Sequence, residues 1–343
     1  MSRLGDTGEF AAIRRLLEVG GGAGASGARA AMAAGPGDDA ALLVPRPGHE
    51  LVATTDTMLE GVHYLRGWID AAALGARLAE ANLSDLAAMA AEPRWALVSI
   101  GARADHDVDD LVAIQRGIVG ALAAAGAVVA GGNLTAVAGE EWLTLALLGE
   151  VEAGRAWRRS GARAGDLVAI TGSPGRAGAG SVLAGELGEQ ALEPRWSALL
   201  DAWRAPRSRV AFARALAPAG VVRAAIDVSD GVSGDLAHLC AASGVGARLD
   251  AAAWPADDAL DAASVALEVP REALALGASD DYELVLAVDP AGRDAAARIA
   301  SEHGVPLAFV GTFTADARAI EWVARDGSVH PVEPGGYDHY ARG

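Results

Sequence analysis

The chain contains no lysine; all 28 residues in its Lys+Arg count are arginine. Without an ε-amino group there is no Schiff-base lysine. There is also no G-x-x-x-x-G-K phosphate loop and no strand lysine of the protein-kinase type. Cysteine is almost as scarce. The single Cys240 makes no internal disulfide and no Cys-rich zinc site, and its apolar helical surroundings suit a small buried hydrophobe. No apolar run reaches the roughly 20 residues a bilayer-spanning helix needs. Positive charge is in deficit: 28 basic residues against 45 acidic ones leave −17. Such a chain repels both the nucleic-acid backbone and anionic membrane surfaces, so neither is an expected partner. Residues 1–20 carry Asp6 and Glu9 and lack the basic-then-apolar order of an export signal, so the expected compartment is the cytoplasm.

What is present is an ordinary globular composition, 52% hydrophobic with 43 glycines. The length of 343 residues exceeds what one core usually serves, which suggests two domains. The Gly/Ala-rich residues 18–37 read as a loop. AALLV at 40–44 and ELVATTD at 50–56 read as strands joined by a turn at Pro45-Arg46-Pro47-Gly48. Helical spacing covers 70–91 and 107–125, with strands at 95–101, 127–132 and 142–151. The order gives a mixed sheet with helices on one face. A second α/β unit begins near Arg155, with strands at 165–172, 223–231, 247–251, 281–288 and 307–314 and helices between them. The expected class is α/β (α+β) with two mixed-sheet domains, residues 1–153 and 154–343.

Four segments place acids or hydroxyls beside a strand end, a helix or a turn: Gly37-Asp38-Asp39, Thr54-Thr55-Asp56-Thr57, Asn82-Leu83-Ser84-Asp85 and Asp227-Val228-Ser229-Asp230-Gly231. Oxygen-rich groups of this kind suit hard cations such as Mg²⁺. Each also fits a plainer role, as a turn residue or a polar helix face. What favours ligand binding is that several lie where strands end, the usual ligand position in α/β sheets. Two Gly-rich stretches after strands, Gly131-Gly132-Asn133 and Gly172-Ser173-Pro174-Gly175, could each bring backbone N–H groups to a phosphate. His63 reads by default as a packed surface histidine, although it follows Gly61 in a polar loop.

Taken in order, GDDAALLV, ATTDTMLEGVHY, NLSDLAAMAAEP, AGGNLT, RRSGARAGDLVAITGSPG, IDVSDGVSGDLAHL, DDYEL and the terminal GYDHY resemble the thiamine-monophosphate kinase family over nearly the whole chain. NLSDLAAM with D-x-SDG-x-x-x-DL marks a superfamily that also holds aminoimidazole ribonucleotide synthetase, selenophosphate synthetase and a hydrogenase-maturation protein. The TDT-x-x-x-x-x-H spacing, RSGA-x-x-GD and GYDHY favour the thiamine branch.

The resemblance implies transfer of the γ-phosphoryl group of ATP to thiamine monophosphate, assisted by several Mg²⁺ ions. It also implies a homodimer closed through the N-terminal sheets. The family's metal ligands map onto Asp39, Thr54, Thr55, Asp56, Asp85, Asn133, Asp227 and Asp230, with Asp56, Asp85 and Asp230 central to catalysis. Its nucleotide contacts map onto Gly132, Asn133, Arg159 and Ser229, and its substrate contacts onto His63, Asp280 and Tyr337. Metal-bound carboxylates would explain how a protein this acidic gathers phosphates without a lysine, and Arg159 would take the cationic role.

Four positions depart from the family pattern. Asn133 stands where many relatives have Asp, Gln115 replaces an aromatic, Asp280 replaces Glu, and Ala90 replaces Gly. Two other readings compete: a purine-pathway synthetase of the same superfamily, and a non-catalytic nucleotide- or Mg²⁺-binding relative. Intact acids in four segments argue against the second.

Overall fold

The structure, a computed structural model, describes residues 2–20, 26–317 and 319–336. It comprises two compact units, residues 1–86 with 91–156, and residues 87–90 with 157–343.

The first unit opens with helices α1 (Leu4–Thr7), α2 (Glu9–Gly20) and α3 (Ser26–Ala30), then the short strands β1 (Met32–Ala34) and β2 (Leu42–Leu43). There follow β3 (His49–Leu59), α4 (Ala71–Ala88), β4 (Glu92–Ala102), α5 (Val108–Ala124), β5 (Val128–Ala136) and β6 (Trp142–Glu152). The four long strands form a sheet in the order β3-β6-β4-β5, with only β4 and β5 parallel. Along β6 the residues from Leu143 to Leu147 alternate buried and half-buried, the signature of a sheet with one face in the core. Helix α4 covers that face: Leu86 lies against Gly149 of β6, and Asp85 meets Thr54 of β3.

Helix α5 packs on α4 at two glycines. A Cβ at Gly75 would lie 2.0 Å from the Ile114 carbonyl oxygen, and one at Gly117 would lie 1.9 Å from that of Ala72. Only glycine permits backbones this close. The N-cap of α5 is Asp107, whose carboxylate accepts from Asp109 N at 3.0 Å; Asp109 and Asp110 in the first turn suit the helix dipole.

The second unit contains β7 (Leu167–Thr171), α6 (Arg176–Leu187), α7 (Ser197–Arg204), α8 (Val210–Leu216), β8 (Val222–Val228), α9 (Val232–Ser243) and β9 (Gly246–Asp250). It continues with α10 (Asp258–Leu267), α11 (Arg271–Leu276), β10 (Glu283–Val288), α12 (Arg293–Glu302), β11 (Leu307–Thr314), β12 (Ile320–Val323) and β13 (Val329–Pro331). Its seven-stranded sheet runs β13-β12-β9-β11-β7-β10-β8. All six residues of β10 are buried, so helices cover the middle of this sheet on both faces. The pairing directions make β12, β9, β7 and β8 run one way and β10 and β11 the other. The edge reached by the C-terminal ends of β7 and β8 is therefore also where β10 begins. Cys240 is buried in this core, as its apolar surroundings suggested, and burial pushes its thiol up to about 12.

The two-domain mixed α/β class agrees with the sequence reading, and four local expectations do not. Residues 26–30 are helical and 32–34 extended, where composition alone suggested a loop. Alanine favours helix, and α3 is docked by the Trp95 indole, which donates to Ala28 O at 3.0 Å. Strand β2 pairs with β1, not with β3 across the Pro-rich turn, while β3 pairs with β6 over eleven positions. Gly131-Gly132-Asn133 is no turn but part of β5, where a Cβ at Gly132 would sit 2.3 Å from Val98 O. Strands β12 and β13, of four and three residues, were too short to be read.

Ala90 follows α4 with φ +53, in the left-handed region that disfavours every residue but glycine. Its N–H bonds Ala87 O at 2.9 Å and that of Ala91 bonds Leu86 O at 2.8 Å, closing the helix. Ala90→Gly is expected to raise stability by about 0.5–1 kcal/mol. A thermal melt of the variant that shows no gain would mean that no strain resides there.

Candidate active site

Strand β3 sets the first cluster. Alternation turns Thr54 and Asp56 toward α4, while Thr55 between them lies on the exposed face. From α4, Asp85 accepts a short hydrogen bond from the Thr54 hydroxyl. Burial, and then the like charge of Asp85, push the Asp56 carboxyl up to about 7. A carboxylate pair held this way, with a hydroxyl beside it, favours a hard divalent cation.

Gly132 shares a sheet row with Asp56, through Leu145 and Val98. Three strand spacings separate them, about 14 Å. Asn133 belongs to the next row, with Thr57, Thr144 and Ser99, so its side chain faces away from the Asp56 side. The structure thus joins Thr54, Asp56 and Asp85 and leaves Thr55 and Asn133 on the other face. Asp39 is exposed, its N–H bonded to Asp38 Oδ1 at 2.9 Å. His63 follows β3, and its Nδ1 accepts from Leu59 N at 3.1 Å, which leaves Nε2 to carry the proton of the neutral ring. Gln115 is buried in α5.

The second cluster lies at the end of β8, where Asp227 is buried. Beyond it, the loop bearing Ser229 and Asp230 is gathered by a residue the sequence reading gave no role. Asp235 Oδ2 accepts from Ser229 N at 3.0 Å, Asp230 N at 3.2 Å and Gly231 N at 3.2 Å. Burial is the main influence on Asp235, raising its carboxyl to about 6. A Cβ at Gly231 (φ +113) would lie 2.1 Å from Gly277 O, so this loop abuts the one that carries Asp280.

Asp280 is half-buried between Ser279 and Asp281. Asp281 is buried and accepts from Gly175 N at 2.6 Å, Ala177 N at 2.8 Å and Ser279 Oγ at 2.6 Å; burial raises it to about 6. In the turn after β7, Gly175 N–H is therefore spent on an internal carboxylate and Gly172 N–H on Pro306 O at 2.9 Å, so neither is offered to a phosphate. Next along, Glu283 pairs with both Arg209 Nε, at 2.5 Å, and Arg209 Nη2, and it accepts from Thr171 Oγ1 at 2.5 Å. The sequence reading gave Asp281, Glu283 and Arg209 no role, because a buried charged pair gives no periodic signal.

Arg159 is exposed, with its carbonyl accepting from Ser243 Oγ at 2.8 Å. Tyr337 lies outside the described residues. Among the described residues no three His, Cys, Asp or Glu side chains converge as a metal cage. No helix among them is long and apolar enough to cross a membrane. A cavity of about 320 Å³ in the first unit is lined by Tyr64, Arg66, His106 and Glu141. One of about 470 Å³ in the second is lined by Trp254, Arg271, Trp322 and Arg325. Neither is lined by a sequence-predicted site residue.

Residues 37–151 match the model of the AIR synthase related protein, N-terminal domain, and residues 163–323 that of the AIR synthase related protein, C-terminal domain. The chain is 34% identical over 336 residues to the thiamine-monophosphate kinase of Salmonella typhimurium, covering 97% of this chain and 98% of that one. It is 35% identical over 338 residues to that of Escherichia coli K12, with the same coverage. A crystal structure of thiamine-monophosphate kinase from Stenotrophomonas maltophilia superposes with a TM-score of 0.74 at 31% identity, covering 88% of this chain and 92% of the other. The structure described as AaThiL complexed with AMPPCP and TMP gives a TM-score of 0.73 at 27% identity, over 99% of each chain.

Proposed function

Because the chain belongs to the thiamine-monophosphate kinase family and is a kinase, we propose that it transfers the γ-phosphoryl group of ATP in line to thiamine monophosphate, giving thiamine diphosphate and ADP. The site observation that carries this reading is the Asp56–Asp85 pair between β3 and α4, with the Thr54 hydroxyl on Asp85; burial, and then the like charge of Asp85, push the Asp56 carboxyl up to about 7. Such a pair suits Mg²⁺, which characteristically takes one or two carboxylates and completes its shell with water and substrate phosphates. In this reading Asp39, Asp56 and Asp85 of the first unit are metal ligands, and so, within the second unit, are Asp227 and Asp230. The Thr54 hydroxyl orients Asp85. When bound, Mg²⁺ would supply neutralisation of charge on the transferring phosphoryl group and its neighbours.

The remaining roles follow from chemistry. Ser229 and Gly132 serve the nucleotide, and exposed Arg159 offers a planar cation to its phosphates. His63, with Nε2 as the proton-bearing edge, and Asp280 serve the acceptor; an acid there suits the cationic thiazolium ring. Thiamine monophosphate is itself a phosphate, mostly dianionic at neutral pH given a second pKa of about 6. It needs orientation more than deprotonation, so no strong general base is assigned. The two AIR synthase related domains are common ground with purine-pathway enzymes, but near-full-length relatives at 34–35% identity are thiamine-monophosphate kinases.

A homodimer through the outer face of the first unit's sheet is part of the same reading, supported by half-exposed Leu51 and Leu97 on that sheet. A cytoplasmic location accords with it. The deciding experiment is a phosphoryl-transfer assay with ATP, Mg²⁺ and either thiamine monophosphate or thiamine. Thiamine diphosphate should form from the phosphate ester, with free thiamine a poor acceptor. Equal turnover of free thiamine would overturn the acceptor assignment.

A further inference from the structure

We propose that Asp235 is a positioning residue for phosphoryl transfer: its carboxylate sets the Ser229-Asp230-Gly231 loop in the shape that metal and nucleotide require. The inference rests on the reading above, in which Ser229 and Asp230 serve those ligands.

Strand β8 ends at Val228 and α9 begins at Val232, so three residues must redirect the chain. Three successive N–H groups turn to one side, and converging amide dipoles of that kind form an anion-binding concavity. Here the anion is built in. Asp235, 3% exposed, returns its carboxylate from the first turn of α9, and one oxygen accepts from all three amides at 3.0–3.2 Å. The helix supports the arrangement, since Asp235 N donates to Gly231 O at 3.0 Å. Two further contacts brace the loop. Gly231 is pressed on Gly277 O, and Tyr282 N donates to Val228 O at 2.8 Å.

With its amides engaged inward, the loop has little freedom to present Ser229 and Asp230 in any other orientation. An external phosphate cannot take the seat Asp235 fills. Whatever the loop offers a nucleotide or metal comes from the side chains and carbonyls of 229 and 230. Groups that orient metal ligands in this way typically cost 10–100-fold in metal affinity or activity when removed.

The test uses the full-length protein with Asp235→Ala and Asp235→Asn, the latter keeping a neutral acceptor oxygen. In the metal-free protein, amide exchange at Ser229, Asp230 and Gly231 should rise about tenfold in Asp235→Ala and less in Asp235→Asn. The Mg²⁺ concentration giving half-maximal turnover should rise about tenfold in Asp235→Ala, with KM for thiamine monophosphate changed by less than about twofold. Asp235→Asn should fall between it and the wild type. Wild-type exchange and wild-type Mg²⁺ dependence in a folded variant would overturn the inference. So would a collapse of the melting temperature in both variants with every kinetic constant impaired alike, which is the mark of a purely structural residue. Asp230→Asn separates the two layers. If it leaves the Mg²⁺ dependence unchanged, the metal reading falls and the inference with it; if it shifts that dependence and Asp235→Ala does not, only the positioning role falls.

Discussion

Replacing Asp56 with Asn is expected to lower turnover by roughly a hundredfold or more, the scale seen when a charge-stabilising group leaves a transition state, while the folded protein gains stability. The two halves of this result have one cause. Burial and the neighbouring Asp85 raise the Asp56 carboxyl from 3.8 to about 7, so its ionised form is less at home in the fold than in the unfolded chain. The contribution to stability is complete below about pH 3.8 and is lost as pH rises through about 7. In metal-free buffer, Asp56→Asn should therefore melt above the wild type at pH 8 and alongside it near pH 4. Raising Mg²⁺ should recover part of the wild type's stability at pH 8 and do little for the variant. Wild-type turnover in Asp56→Asn would remove this carboxylate from the site, and an unchanged melt at pH 8 would deny that the pair is strained.

Glu141→Gln is expected to do the opposite, leaving chemistry alone and costing about 3 kcal/mol of stability at pH 7, the scale of a broken buried ion-pair network. Glu141 is 4% exposed. It accepts from Arg103 N at 2.9 Å, Arg66 Nη2 at 2.6 Å and His106 Nδ1 at 2.8 Å. Glu60 closes the ring, bonded to Arg66 Nε at 2.7 Å and Arg103 Nη1 at 3.0 Å. Burial alone would raise the Glu141 carboxyl, but the hydrogen bonds from His106, the Arg103 backbone and Arg66 outweigh it and hold it at about 2. A lowered acid stabilises above its unfolded pKa of 4.5 and loses that contribution as pH falls toward about 2. Denaturation curves at pH 7 and pH 3 should show the gap between wild type and variant shrinking at the lower pH. A gap of equal size at both would mean that the ionised form of Glu141 contributes nothing.

The long elements were legible because their signals are periodic. Helices α4 and α5 and strands β4 and β6 each carry an apolar repeat long enough to outvote local noise. The segment from Ser26 to Ala34 was not, since its small residues gain their structure from Trp95, far away in sequence. Gly132 misled in the same way: a glycine demanded by a neighbouring strand looks in sequence like one demanded by a turn.

The two candidate clusters, one in each unit, were half legible. Motif spacing singled out Asp56, Asp85, Asp227 and Asp230. It could not say that Thr54 and Asp56 share a face while Thr55 does not, because that depends on how β3 lies against α4 and β6. Asp235 and Asp281 stood inside the quoted motifs without a role, since a residue that receives backbone N–H groups shows its purpose only when the fold shows which amides reach it.

The contact between α4 and α5 bears on how the site can move. With Gly75 and Gly117 pressed on carbonyl oxygens of the opposite helix, neither helix can slide along or roll over its neighbour without driving backbone into backbone. The pair behaves as a single stiff body, and Asp85 rides on it. A shift that opened or closed the distance from Asp85 to Asp56 would have to carry α5 as well, or else bend strand β3. Any adjustment between Asp85 and Asp56 therefore falls to β3, and the helix that carries Asp85 serves as the fixed side of the pair.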